Sequence, residues 1–154
     1  MKNKSRHHVL ADFPKGEYYL GDLCYVLNDA QWNEILKQCI DPKTHQCYDG
    51  EFIVDGQKIF MASTGYGDGT YKDNFEENYD VDSGSIGICP ISLCSKEKID
   101  VIKKHDLGQI LPMQDDFVID ADHGYFEIFI NDNSYLIIDT KEDKEEKDYE
   151  DNSW

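Results

Sequence analysis

The chain has 154 residues, 32 of them acidic and 15 basic, for a formal net charge of −17 and an isoelectric point near 4.4. A 40% hydrophobic content that includes 12% aromatics supports a packed core, despite a mean hydropathy of −0.64, and excludes disorder for the body of the chain. No apolar run approaches the roughly 18 residues a membrane helix needs, and so negative a chain excludes conventional nucleic-acid binding, which requires a cationic footprint.

The amino end is polar up to His8 and meets Asp12 after only Val9, Leu10 and Ala11. It lacks the apolar core of an export signal. Residues 17–27 read as an extended segment broken at Gly21-Asp22. A helix over about 29–40 follows, capped by Asn28 or Asp29, with Gln31 placed for a capping box. Trp32, Ile35, Leu36, Cys39 and Ile40 recur at helical spacing as one core-facing stripe, and Asp41-Pro42 ends it.

Glu51 to Ala62 reads as a hairpin about a type I′ turn at Asp55-Gly56. That register sets Phe52 opposite Ile59, with Val54 and Met61 on the same face. A glycine-rich acidic segment, Gly65 to Tyr71, leads to a strand from Tyr79 to Ile91 interrupted by Gly84 and Gly87. Ser95 caps a weaker helix, about 96–104, with Ile99 and Ile102 inward. Two hairpin units close the chain. Phe117-Val118-Ile119 turns near Gly124 into Tyr125–Ile130, and a tight turn at Asp132-Asn133 returns it as Tyr135–Ile138. Apolar residues on both faces predict that these last strands are central and covered on both sides.

The predicted fold class is α+β: an antiparallel β-sheet, as a β-rich sandwich or half-barrel, with those two helices. Residues 1–138 form one predicted globular domain, and 139–154 an acidic tail of eight acids and three lysines that reads as solvated. Another −5 sits between Asp68 and Asp82, from six acids against Lys72, and the remaining −7 is spread over the rest of the chain. Five cysteines, an odd number without an export signal, point to free thiols in a reducing, intracellular compartment.

Candidate chemistry centres on the acidic stretch. Asp68, Asp73, Glu76 and Asp80 are candidate ligands for calcium, which takes six to eight oxygens from flexible loops. The spacing matches no EF-hand, and the competing reading is a solvated acidic loop with no cofactor. Cys24, just past the Gly21-Asp22 break, is a candidate nucleophile if a histidine lies within reach; otherwise it is a core thiol. His45, Cys47, Cys89 and Cys94 supply nitrogen and sulfur for a zinc site, but at unfamiliar spacings. Gly65, Gly67 and Gly69 are followed by acids and no helix, which excludes a phosphate cradle.

Two resemblances arise from these motifs. Val81-Asp82-Ser83-Gly84-Ser85-Ile86 resembles the catalytic loop of aspartic proteases. That would imply Asp82 as a catalytic acid in a homodimer, since the family needs two such carboxylates sharing a proton. Asp80 and the segment around Leu107-Gly108 depart from that pattern. Three longer blocks, Gly16–Val26, Tyr66–Tyr71 and Tyr79–Ile88, are similar in order and spacing to a family of small bacterial, phage and large-DNA-virus proteins with the pattern GDxCYV…YGDGTY…VDSGxIGI. The similarity spans roughly residues 16–91, implies a shared fold, and carries no activity.

The Gly/Asp turns of those blocks are expected to converge at one end of the sheet, forming a pocket from Asp22, Tyr25, Tyr66, Asp68, Tyr71 and Asp82. The leading functional expectation is a non-enzymatic binding or structural protein whose acidic surface meets a basic protein partner, without direct contact to nucleic acid or membrane. The alternative is a small hydrolase or metal- or ligand-binding protein using Asp68, Asp82 and Cys24.

Overall fold

The computed structural model describes residues 4, 5 and 8–141; the acidic stretch read as a tail lies outside them from Glu142 onward. The chain opens with strands β1 (Lys4–Ser5), β2 (His8–Phe13) and β3 (Gly16–Gly21), then a 3₁₀ turn over Leu23–Tyr25 and helix α1 (Asp29–Cys39). The hairpin of β4 (Asp49–Val54) and β5 (Gln57–Ser63) leads through β6 (Gly69–Lys72) and β7 (Asn78–Val81) to β8 (Ser85–Pro90). A second 3₁₀ turn, Ile91–Leu93, precedes α2 (Lys96–His105), and β9 (Gly108–Met113), β10 (Phe117–Asp122), β11 (Tyr125–Ile130) and β12 (Asn133–Asp139) complete the order.

These strands form two main antiparallel sheets, one of six strands in the order β1-β4-β5-β8-β3-β9 and one of four in the order β12-β11-β10-β2. The fold is α+β around antiparallel sheet, and β6 and β7 form a separate two-stranded ribbon. The strands alternate side chains between faces, and the six-stranded sheet uses both. One face packs on the smaller sheet through Leu20, Phe60, Ile86 and Ile88 against Ile119, Phe126 and Ile138. The other carries Tyr19, Phe52, Ile59 and Cys89 beneath Ile35 of α1 and Ile102 of α2. The molecule is therefore layered as helices, large sheet, small sheet. Among the described residues no helix is long and apolar enough to cross a membrane.

Local chemistry explains the best-marked elements. Asn28 and Gln31 exchange the reciprocal hydrogen bonds of a capping box at the start of α1. Asp55 and Gly56 both take positive φ, 50° and 78°, and Phe52 pairs with Ile59, as a type I′ hairpin requires. Ser95 does precede α2, but its hydroxyl donates to Glu97 and does not cap a backbone amide.

Several expectations need correction. The strands buried on both faces are β3, β5 and β8, not the last two. β12 is an edge strand whose first three residues are exposed. The final turn uses Asn131 and Asp132, both at positive φ, one residue earlier than expected. Gly87 does not interrupt its strand. β8 runs through it, and a Cβ there would lie 2.4 Å from the Phe60 carbonyl oxygen and 2.9 Å from Leu23, so the missing side chain admits tight packing. Ile40 lies past the end of α1 and is exposed. The ordered chain also passes residue 138, since Thr140 is fully buried.

The β6–β7 turn is latched onto β12. Asp73 forms a β-bridge with Ile138. The Asn74 amide donates to the Ile137 carbonyl, its Oδ1 accepts from the Ile137 amide at 2.8 Å, and its Nδ2 donates to the Tyr135 carbonyl.

Candidate functional site

Asp22 follows the last residue of β3 and is fully buried. Its Oδ2 accepts hydrogen bonds from the backbone N–H groups of Asp82 and Ser83, both at 2.7 Å. Its Oδ1 accepts from the Cys24 amide at 3.0 Å and the Ser83 hydroxyl at 2.8 Å. Ser83 Oγ also lies 2.9 Å from Ser85 Oγ. Four donors thus fill the lone-pair sites of one carboxylate. They explain both the break after Gly21 and the turn at Asp82-Ser83-Gly84. Tyr19 supports the corner from below, its hydroxyl donating to the Asp22 carbonyl. A Cβ on either Gly21 or Gly108 would lie within 2.6 Å of that hydroxyl oxygen.

The third block joins the same end of the sheet. Thr64 donates through its amide to the Gly84 carbonyl at 3.0 Å and through its hydroxyl to the Gly67 carbonyl at 2.7 Å. Tyr71 donates its hydroxyl to the Gly67 carbonyl as well. Asp68 Oδ1 lies 3.9 Å from where a Cβ on Gly84 would stand. Thr140 pins this loop to the smaller sheet, accepting from the Gly65 amide at 2.8 Å while its hydroxyl donates to the Gly124 carbonyl. Turns from residues 21–25, 64–68 and 82–84 therefore meet, as the spacing of the three blocks suggested.

The side chains predicted for a pocket divide into two groups. Asp22 is enclosed by its own donors, and Tyr71 is half-buried against the core. Tyr66, Asp68 and Asp82 are exposed. Tyr25 lies between these groups, its phenol pushed up to about 12 by burial, then by the charges of Asp82 and Asp22. Cys24 is half-buried, and burial followed by the Asp22 charge raises its thiol well above the ordinary value. It stays protonated at neutral pH, which is the wrong state for a nucleophile.

The four candidate calcium ligands do not gather. The β6–β7 ribbon pairs Gly69 with Val81 and Lys72 with Asn78. Asp68 therefore lies at one end of the ribbon, and Asp73 and Glu76 lie at the other, with Asp68 and Asp73 about 16 Å apart along the strand. Asp73 is buried and already accepts from the amides of Phe75 and Glu77 and from the Tyr79 hydroxyl at 2.6 Å. Asp80 accepts from the Thr70 hydroxyl. Among the described residues no group of three or more His, Cys, Asp or Glu side chains could hold a metal ion. The zinc set is likewise divided, with Cys89 beside Cys94, Cys47 beside Cys39, and His45 exposed.

Asp82-Ser83-Gly84 sits on a turn between β7 and β8. Within the chain its amide is bound by the Asp22 carboxylate, which has no lone pair left over for a shared proton.

Asp49, at the same end of the sheet, gave no signal in the sequence. It is 5% exposed and accepts from the Ser63 amide and hydroxyl on Oδ1. Burial pushes its carboxyl up to about 6, opposed by the Ser63 hydrogen bonds and by His123. Comparison with protein-family models, with curated proteins and with solved structures finds no match to this chain.

Proposed function

We propose that this chain is a non-catalytic binding protein whose acidic loop end engages a cationic surface on a protein partner. One observation carries the reading. The framework of the loops is closed by internal hydrogen bonds to Asp22, Thr64 and Thr140, while Asp68, Asp82 and Tyr66 remain at the surface. Among the described residues no lysine, arginine or histidine forms an ion pair with Asp68, Asp80 or Asp82. Held carboxylates beside an exposed aromatic ring suit lysine or arginine side chains, which combine charge with an apolar stem. Preorganised turns also reduce the ordering cost of binding.

A hydrolase using Cys24 or Asp82 has less support, because the thiol is held protonated and the nearest buried carboxylate is occupied. An intracellular setting fits free Cys24, Cys39, Cys47, Cys89 and Cys94.

The test is a titration of the isotope-labelled protein with a lysine- and arginine-rich peptide at two salt concentrations. Amide shifts should concentrate at residues 66–71 and 80–84 and weaken at the higher salt. The double variant D68N/D82N should bind about 2–30-fold more weakly, at about 0.2–1 kcal/mol per exposed charge pair. Shifts located elsewhere, or affinity indifferent to salt, would remove the proposal.

A further inference from the structure

Two thiols meet on the helix-covered face of the large sheet. Cys89 is fully buried in β8, and Cys94, which ends the 3₁₀ turn Ile91–Leu93, is partly buried but keeps some contact with solvent. Their sulfurs are 3.6 Å apart, and the Cys94 thiol also lies 3.8 Å from the Pro90 carbonyl oxygen. A disulfide needs about 2 Å between sulfurs, so closing the bond asks for a small displacement of one side chain. Only Cys94 can give way easily. Cys89 is fixed in a strand paired on both sides, by β3 and β5, whereas Cys94 belongs to a turn.

We infer that Cys89 and Cys94 form a reversible intramolecular redox pair, in which Cys94 reacts with a hydroperoxide and Cys89 resolves the product as a disulfide. In the first step the Cys94 thiolate attacks the distal peroxide oxygen; the O–O bond breaks, giving Cys94 sulfenic acid and an alcohol, or water from hydrogen peroxide. In the second step the Cys89 sulfur attacks the Cys94 sulfur, the S–O bond breaks, and the departing hydroxide leaves as water with the Cys89 proton. Two thiols are oxidised by two electrons and one peroxide is reduced. The roles follow from access. Cys94, the more accessible of the two residues, meets the oxidant, and the buried Cys89, held as a thiol by the Cys94 sulfur beside it and by burial, waits for an electrophile.

The bond would act on the junction of both helices. Cys94 directly precedes Ser95, whose amide donates to the Val26 carbonyl, and follows Leu93, whose carbonyl accepts from Gln31 of α1. A pull on Cys94 is felt at both contacts.

The test treats the full chain with hydrogen peroxide, blocks remaining thiols with an alkylating agent, and maps the peptides by mass. The expected result is loss of two hydrogens, a fall of two in the thiol count, and a Cys89–Cys94 linked peptide that dithiothreitol abolishes. In the Cys89→Ser variant a sulfenic acid on Cys94 should become trappable by dimedone, several-fold more than in the wild type. Conversion of wild-type Cys94 to sulfinic acid with Cys89 still alkylated would overturn the inference. So would a bridge at Cys39–Cys47 with Cys89 and Cys94 free. The wild-type map decides even if the variant does not fold.

Discussion

Two buried aspartates at the same end of the large sheet are treated in opposite ways. Asp22 accepts four hydrogen bonds, three from backbone amides and one from a hydroxyl. Asp49 accepts two, both on one oxygen and both from Ser63. Exposure is nearly the same, 0% and 5%. Removing a carboxylate from water is costly unless donors replace the water. Around Asp22 they do, and the group joins two turns some sixty residues apart in sequence. Around Asp49 they fall short, and its proton affinity rises instead. Equal burial therefore produces a fastener in one place and a latent titration site in the other.

Substitution at Asp22 should have the largest effect. Asp22→Ala leaves three backbone amides and the Ser83 hydroxyl without their acceptor, and should cost about 3–5 kcal/mol of unfolding free energy. Urea denaturation measures this, and a loss below about 1 kcal/mol would show that water replaces the carboxylate at little cost. Tyr79→Phe comes next. It removes the 2.6 Å hydrogen bond to Asp73 but leaves that carboxylate the Phe75 and Glu77 amides. The expected loss is about 1.5–3 kcal/mol, and the same denaturation experiment reads it.

Asp49 should respond with the other sign. Its folded-state value is raised to about 6, so the folded protein holds the proton more tightly than the unfolded chain. That contribution to stability is complete below the ordinary aspartate range and is lost as pH rises through about 6. Asp49→Asn should therefore stabilise the protein by about 1–2 kcal/mol near pH 7.5 and by almost nothing near pH 4. Parallel denaturation curves for wild type and variant at the two pH values would test this. A constant difference would mean that Asp49 does not titrate in that window. The smallest effect belongs to the exposed acids. Asp68→Asn with Asp82→Asn should move stability by no more than about 0.5 kcal/mol, which separates their role in binding from any role in folding.

How much of this was legible depended on the distance over which each signal acts. The Asp55-Gly56 hairpin and the Asn28–Gln31 capping box are set by residues a few positions apart, and both read correctly with their register. β2 and β9 were missed. The His8–Phe13 strand is short and polar in its neighbourhood, and Gly108–Met113 contains Pro112, which demotes a strand reading. The last strands misled because Phe129, Ile130 and Ile137 are apolar yet only partly buried. Apolar composition alone does not distinguish a second layer from shallow cover. The three Gly/Asp blocks could be matched as turns from sequence, but not the bond from Asp22 to the Asp82 and Ser83 amides. That depends on the strand order that brings β3 beside β8. Asp49 was silent because its environment is assembled by Ser63 and His123 from elsewhere in the chain.

The latch formed by Asp73 and Asn74 on β12 has a consequence for how copies of this chain behave at high concentration. β12 ends the smaller sheet, and an uncovered terminal strand is a template on which a second molecule can add its own strand. Here the backbone of Ile137 is occupied on both its N–H and C=O, and the Tyr135 carbonyl is taken as well, all by one asparagine. The β6–β7 ribbon thus serves as a stopper against self-templated polymerisation. It lets a protein with so much sheet keep a free border without inviting its neighbours to extend it.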